Sequence, residues 1–234
     1  MSKKNVQLVK IIKGATILAK VACAAIPVPF VGTIAAELLD VVSPMLESKL
    51  TEEDKAKVEE KINDSNKTIS ISPNSAEAYY TRGAAKLLLD QYEMAITDFD
   101  TAIRLKPDFA NVYHLRGAAK FQLKQYEEAL IDYDRAISLK PDFAYAYYNR
   151  GQTKYRLDRY EDAITDYNQA ICIMPDLVEA YNDRGMIQYE LMQYETAIAD
   201  FDTAIRFNSN YFLVYYNRGT VHNELNQHEV AISV

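Results

Sequence analysis

A chain of 234 residues, 49% apolar and 25% charged, is long enough for one or two globular domains with a buried core. Its net charge of −7 argues against nucleic acid as a partner, because such binding needs a basic footprint. The only two cysteines, Cys23 and Cys172, give neither a disulfide framework nor a metal-ligand spacing, so they point to a reducing, cytoplasmic setting and read as small buried apolar groups.

The charge is unevenly spread. Residues 1–50 hold six lysines against Glu37, Asp40 and Glu47, a local +3 that leaves −10 on the remainder. Such asymmetry marks an N-terminal segment with its own role. At helical spacing Lys3, Lys10, Lys13 and Lys20 fall within about 100° of one another, with Leu8, Ile11, Ile12, Ala15, Leu18 and Ala22 opposite. That pattern predicts a basic amphipathic helix, ended by Pro27 and Pro29, which remove backbone donors and restrict the residues before them. Residues 30–42 resume as a second apolar helix, so 1–50 reads as a helical hairpin. One reading packs this hairpin on itself or on the repeats C-terminal to it. The other lays residues 1–42 on an anionic membrane surface, as a peripheral attachment. A cleaved signal peptide fits less well, since Lys20 interrupts the apolar core. A straight span does not fit, because residues 21–36 are only 16 uncharged positions where about 20 are needed. The stretch AIPVPFVGTIAAELLDVV resembles the amphipathic N-terminal helices of HeLo-type and necroptosis-executioner four-helix domains over fewer than 40 residues. That resemblance implies a membrane-acting, cell-death-like effector.

Thr51 followed by Glu52, Glu53 and Asp54 predicts a helix start, with a hydroxyl cap and acids in the first turn. Residues 51–75 match half of a unit that then recurs every 34 residues: Pro73 falls on Pro107, Ile69 on Ile103 and Asp64 on Asp98. Its core positions are eroded, with Ser65 for Phe99 and Lys61 for Ala95, as expected of a terminal unit facing water.

Full units begin at 76, 110, 144 and 178, and an incomplete one begins at 212. Each carries two helical patterns, 76–89 and 92–105 in the first, divided by a short turn and closed by Pro-Asp. Gly83, Gly117, Gly151, Gly185 and Gly219 lie mid-helix, where glycine costs about 1 kcal/mol relative to alanine. Close helix approach is the physical reason for them. Ala95, Ala129, Ala163 and Ala197 are the small partners, while Phe99, Tyr133, Tyr167 and Phe201 fill the space between helices. Arg82, Arg116, Arg150 and Arg184 each precede an aspartate by 16 residues (Asp98, Asp132, Asp166, Asp200), which predicts bidentate ladders between helices.

Tyr147, Arg150-Gly151, Ala163, Tyr167, Ala170 and Pro175 resemble the tetratricopeptide repeat (TPR) pattern over about 160 residues. The resemblance implies an all-α, right-handed superhelical solenoid of helix-turn-helix repeats that binds proteins. Tyrosine stands where the family usually has tryptophan, Lys86, Lys120 and Lys154 occupy its second aromatic position, and Ser209 replaces a unit-ending proline. The family's carboxylate clamp for chaperone tails would fall on Tyr80, Ala84, Leu115, Tyr145 and Asn149, which do not suit it.

The face of each first helix turned away from its packed side lines the concave groove in such solenoids. It offers Tyr80, then His114 and Phe121, then Tyr145, Tyr148, Gln152 and Tyr155, then Asn182 and Tyr189, then Tyr216. A tyrosine-lined strip suits a peptide or helix lying in a groove. The competing reading packs these tyrosines between neighbouring first helices. The incomplete unit leaves apolar surface at the C-terminal end, so either the chain is cut short there or that end docks on another copy as a homo-oligomer. No nucleophile motif, phosphate loop, cofactor motif or histidine constellation is present, so the expectation is a non-enzymatic scaffold without metal or cofactor.

Overall fold

The computed structural model describes residues 51–232. They form ten α-helices, and there is no strand among the described residues. The expected hairpin 1–50, with Lys3, Lys10, Lys13, Lys20 and Cys23, lies outside the described residues. The chain divides into two compact units, one ending at Lys140 and the other starting at Pro141. The first contains α1 (Glu52–Ile71), α2 (Ala76–Leu88), α3 (Tyr92–Leu105), α4 (Ala110–Gln122) and α5 (Tyr126–Leu139). The second contains α6 (Ala144–Arg156), α7 (Tyr160–Ile173), α8 (Val178–Glu190), α9 (Tyr194–Phe207) and α10 (Phe212–Ile232). The fold is an all-α array of helical pairs.

Local chemistry sets the boundaries. Thr51 and Asp54 form a reciprocal capping box: the Asp54 amide donates to Thr51 Oγ1 at 3.2 Å and the Thr51 amide to Asp54 Oδ2 at 3.0 Å. Ser75 caps α2 in the simpler way, accepting from the Ala78 amide at 3.2 Å. The first helix of each repeat ends in a left-handed residue, Asp90, Lys124, Asp158 or Met192, with φ between 57° and 62°. Around it the chain closes on the helix with a paired bond, as where Gln91 N–H donates to the Lys86 carbonyl at 2.9 Å and Asp90 N–H to that of Leu87 at 3.2 Å. Two of these residues also hold the next helix, since Tyr92 donates its hydroxyl to Asp90 at 2.5 Å and Tyr160 to Asp158 at 3.4 Å.

Within a repeat, the mid-helix glycine receives the ring of the second helix. A Cβ at Gly83 would lie 2.7 Å from Phe99 Cε1, and one at Gly151 would lie 2.8 Å from Tyr167 Cε1. Phe99, Tyr133, Tyr167 and Phe201 are buried, as are Ala95, Ala129, Ala163 and Ala197 beside them. The core is thus a series of ring-on-glycine contacts.

The arginine ladders are present. Arg82, Arg116, Arg150 and Arg184 each grip the aspartate 16 residues on with Nε and one terminal nitrogen, at 2.5 to 3.0 Å. Lys86, Lys120 and Lys154 add their ammonium to the same carboxylates at 2.7 to 2.8 Å. This explains why lysine occupies a place the family usually fills with a ring: Asp98, Asp132 and Asp166 are each matched by two cations. The second terminal nitrogen reaches back to the preceding helical pair, from Arg82 to Asn66 at 2.7 Å, from Arg116 to Asp100 at 2.6 Å, and from Arg184 to Asn168. Each guanidinium also lies over the tyrosine three residues earlier, Arg150 over Tyr147 at 5.3 Å. Two of those tyrosines use the hydroxyl that tryptophan lacks: Tyr113 donates to the Pro107 carbonyl and Tyr181 to that of Pro175, both at 3.1 Å.

One expectation is corrected. Cys172 is exposed rather than buried, because it sits at the outward position of a second helix that other repeats fill with Arg104, Ser138 and Arg206. In the incomplete fifth unit α10 runs from Phe212 to Ile232 as one helix. Among the described residues no side chain comes within 4 Å of a Cβ placed at Gly219.

Candidate functional site

Ten side chains were expected on an open groove, and the structure separates them into two groups. Tyr80, His114, Phe121, Tyr148, Gln152 and Asn182 are buried, which corrects the expectation of an open aromatic surface at those positions. Tyr145, Tyr155 and Tyr189 are half-buried, and Tyr216 is 50% exposed. The physical reason is the closeness of successive first helices, whose small residues leave a seam that the larger side chains fill.

In the N-terminal unit that filling is aromatic. The Tyr80 ring lies 5.0 Å from Phe109, His114 lies 5.9 Å from Tyr133, and Phe121 lies 5.4 Å from Tyr126. Burial raises the Tyr80 phenol pKa, partly offset by its hydrogen bond with Asn111. A cavity of about 400 Å³ opens between α1 and α2 beside Ser65, which stands where a full repeat has its ring.

In the C-terminal unit the filling is polar. Tyr148 on α6 donates its hydroxyl to Asp183 Oδ2 on α8 at 3.0 Å. Gln152, one turn along α6, places Nε2 2.6 Å from the Tyr148 hydroxyl oxygen and 2.8 Å from Asp183 Oδ2. Asn182 donates to Asp183 Oδ1 at 3.0 Å and accepts from Asn217 of α10 at 2.8 Å. A continuous polar rung therefore crosses α6, α8 and α10. Burial, then the Asp183 charge, raises the Tyr148 pKa, so the phenol keeps its proton and acts as donor.

A more accessible strip accompanies this rung. Tyr155 donates to Glu190 at 2.6 Å. Burial, then the Glu190 contact, raises its pKa. Tyr189 is raised by burial first, then by Glu224, and lies within the electrostatic reach of Glu190 and Tyr216 as well. Tyrosine and glutamate thus alternate across one face of α6, α8 and α10.

Sequence reasoning missed Asp183 and Asn217. Both occupy the sixth position of their repeats, where the series runs Thr81, Leu115, Asn149, Asp183, Asn217. The turn to polar residues from Asn149 onward was the available signal. Among the described residues no group of three or more His, Cys, Asp or Glu could hold a metal ion. No helix among them is long and apolar enough to cross a membrane.

The profile described as "TPR repeat" matches residues 119–158 and 189–226, and that described as "Tetratricopeptide repeat" matches 76–109 and 144–177. No curated protein matches the chain in sequence. Among solved structures, MamA from Desulfovibrio magneticus RS-1 superposes with a TM-score of 0.60 at 23% identity, covering 66% of this chain and 87% of its own. YrrB, described as a TPR protein with an unusual peptide-binding site, gives 0.59 at 19% identity, covering 79% and 89%. A thermophilic TPR protein of Thermus thermophilus gives 0.59 at 17%, covering 68% and 88%. At these identities the likeness is one of fold.

Proposed function

Because the chain belongs to the tetratricopeptide-repeat family, we propose that it is a non-enzymatic protein-interaction scaffold that takes a peptide or helical segment against the first helices of its C-terminal unit. The observation that carries this reading is the alternating strip Tyr155, Glu190, Tyr189, Glu224 and Tyr216. Tyrosine supplies contact area with a polar tip, and partly accessible tyrosines in a row suit a peptide surface. The glutamates favour a basic or apolar segment over an acidic tail. Peptide binding described for YrrB is consistent with this use of the fold.

Display-selected peptides on the immobilised full chain test it. Selected peptides should lose at least about tenfold in affinity on the Tyr189→Ala/Tyr216→Ala variant, the order of a 1 to 2 kcal/mol truncation at each of two contact tyrosines, with the melting temperature unchanged. Equal binding to both proteins rejects the groove. The lysine face of residues 1–42, carrying Lys10 and Lys13, supports a second reading as a peripheral membrane attachment. Co-sedimentation with phosphatidylserine vesicles should then fall for Lys10→Glu/Lys13→Glu, and an unchanged bound fraction would discard that reading.

A further inference from the structure

Asp183 departs from the pattern of the four buried aspartates at the ends of the arginine ladders. Asp98, Asp132 and Asp166 are each gripped by an arginine and a lysine, and Asp200 by Arg184. Asp183 is only 9% exposed, yet its three described hydrogen-bond donors, Tyr148, Gln152 and Asn182, are all uncharged. A carboxylate removed from water without a counter-charge is expensive, and neutral donors offset only part of that cost. Nor does the repeat require an acid there, since the equivalent positions hold Thr81, Leu115, Asn149 and Asn217.

A second observation sits on the same cluster. Gln152 is 7% exposed and its Oε1 is buried with no hydrogen-bond partner. The carboxamide cannot simply be turned over to cure this. Its Nε2 already faces Asp183, and a carboxylate accepts but does not donate. Among the described residues Asp183 has no charged hydrogen-bond donor, and the neighbouring Gln152 oxygen lacks a donor. The walls are aromatic as well: the Asp183 charge acts on the phenols of Tyr148, Tyr155, Tyr167 and Tyr211. An acid at the floor, an unused acceptor beside it and tyrosine faces around it are the components of a cation receptor.

We propose that Asp183, Gln152 and Tyr148 form a subsite for one cationic side chain, a lysine ammonium or arginine guanidinium, of the peptide bound by the groove. The inference rests on the groove reading above and sharpens it: the partner presents a basic residue opposite α6 and α8. One N–H of the incoming group takes the Gln152 oxygen, and its charge pairs with Asp183. This is the reverse of recognising a carboxylate tail.

The test uses the peptides selected on the full-length chain, each compared with a copy in which lysine is replaced by norleucine or arginine by citrulline. One basic position should be common to the selected peptides, and its neutral replacement should weaken binding at least about tenfold, as removal of a charge-assisted hydrogen bond does. On Asp183→Asn the charged and neutral copies should bind alike. Gln152→Lys provides a second variant that installs a tethered ammonium beside Asp183. It should raise the melting temperature and abolish the preference for the charged copy. Peptides that depend on Tyr189 and Tyr216 but show no basic requirement would overturn the subsite and leave the groove standing. So would a charge preference that persists in Asp183→Asn or, should that variant not fold, in Gln152→Lys. Peptides indifferent to the two tyrosines, or no selected peptide at all, would remove the groove and the subsite together.

Discussion

The five mid-helix glycines look alike in the sequence and differ in what surrounds them. At Gly151 an added Cβ meets Tyr167 Cε1 at 2.8 Å and the Ala163 carbonyl oxygen at 3.2 Å, and the ring is itself buried, so neither neighbour has space to yield. Gly151→Ala should destabilise by about 1 to 3 kcal/mol through overpacking. At Gly219 the same substitution meets nothing within 4 Å and should stabilise by up to about 1 kcal/mol through helix propensity alone. Urea denaturation of both variants checks the opposite signs. The left-handed Lys124, at φ 62°, offers a further comparison. Lys124→Gly should raise stability by up to about 1 kcal/mol, because glycine adopts that conformation without the Cβ clash, less its greater entropy in the unfolded chain.

Among the elements, the arginine ladder ties second helices to their first helices, and Arg82, Arg116 and Arg184 also reach the pair before. Asp166 accepts from Arg150 at 2.9 and 2.6 Å and is 2.8 Å from the Lys154 ammonium, with 2% of its side chain exposed. Asp166→Ala leaves two mostly buried cations without their carboxylate and should cost about 2 to 4 kcal/mol. Arg150→Lys keeps a charge but loses the planar fork, so its effect should be smaller than that of Arg150→Ala. If thermal melting shows both arginine variants equal to wild type, the ladder contributes nothing to stability. The spacing of 16 residues made this ladder legible, because the same pairs recur four times. The seam between first helices was not legible to the same degree. Helical phase separates one side of a helix from the other, yet it cannot report how near the adjacent first helix lies. That distance determines whether Tyr148 faces a ligand or Asp183.

For the whole molecule, the unusual tyrosine content becomes a pH response. Burial raises the phenol pKa of Tyr133, Tyr148 and Tyr167 well above its usual value. Folded protein therefore holds protons that the unfolded chain releases once pH passes about 10. The stabilisation is complete below that value and is lost as pH rises above it. The melting temperature should fall between pH 9 and 11, and absorbance at 295 nm should show a class of phenols that ionise only with unfolding. Ionisation of all the tyrosines in a still-folded chain would contradict the burial described.

By itself the sequence determined the repeat period, the helix pairs, the small-against-ring contacts and the arginine ladder. All of these are local or recur at a constant interval, so one unit explains the next. Tertiary structure alone decided which groove side chains remain accessible and that Asp183 has only uncharged hydrogen-bond donors among the described residues. Each of these depends on the distance between helices that are not paired by the repeat pattern, and distance across a packed seam is set by side-chain volume on both sides at once.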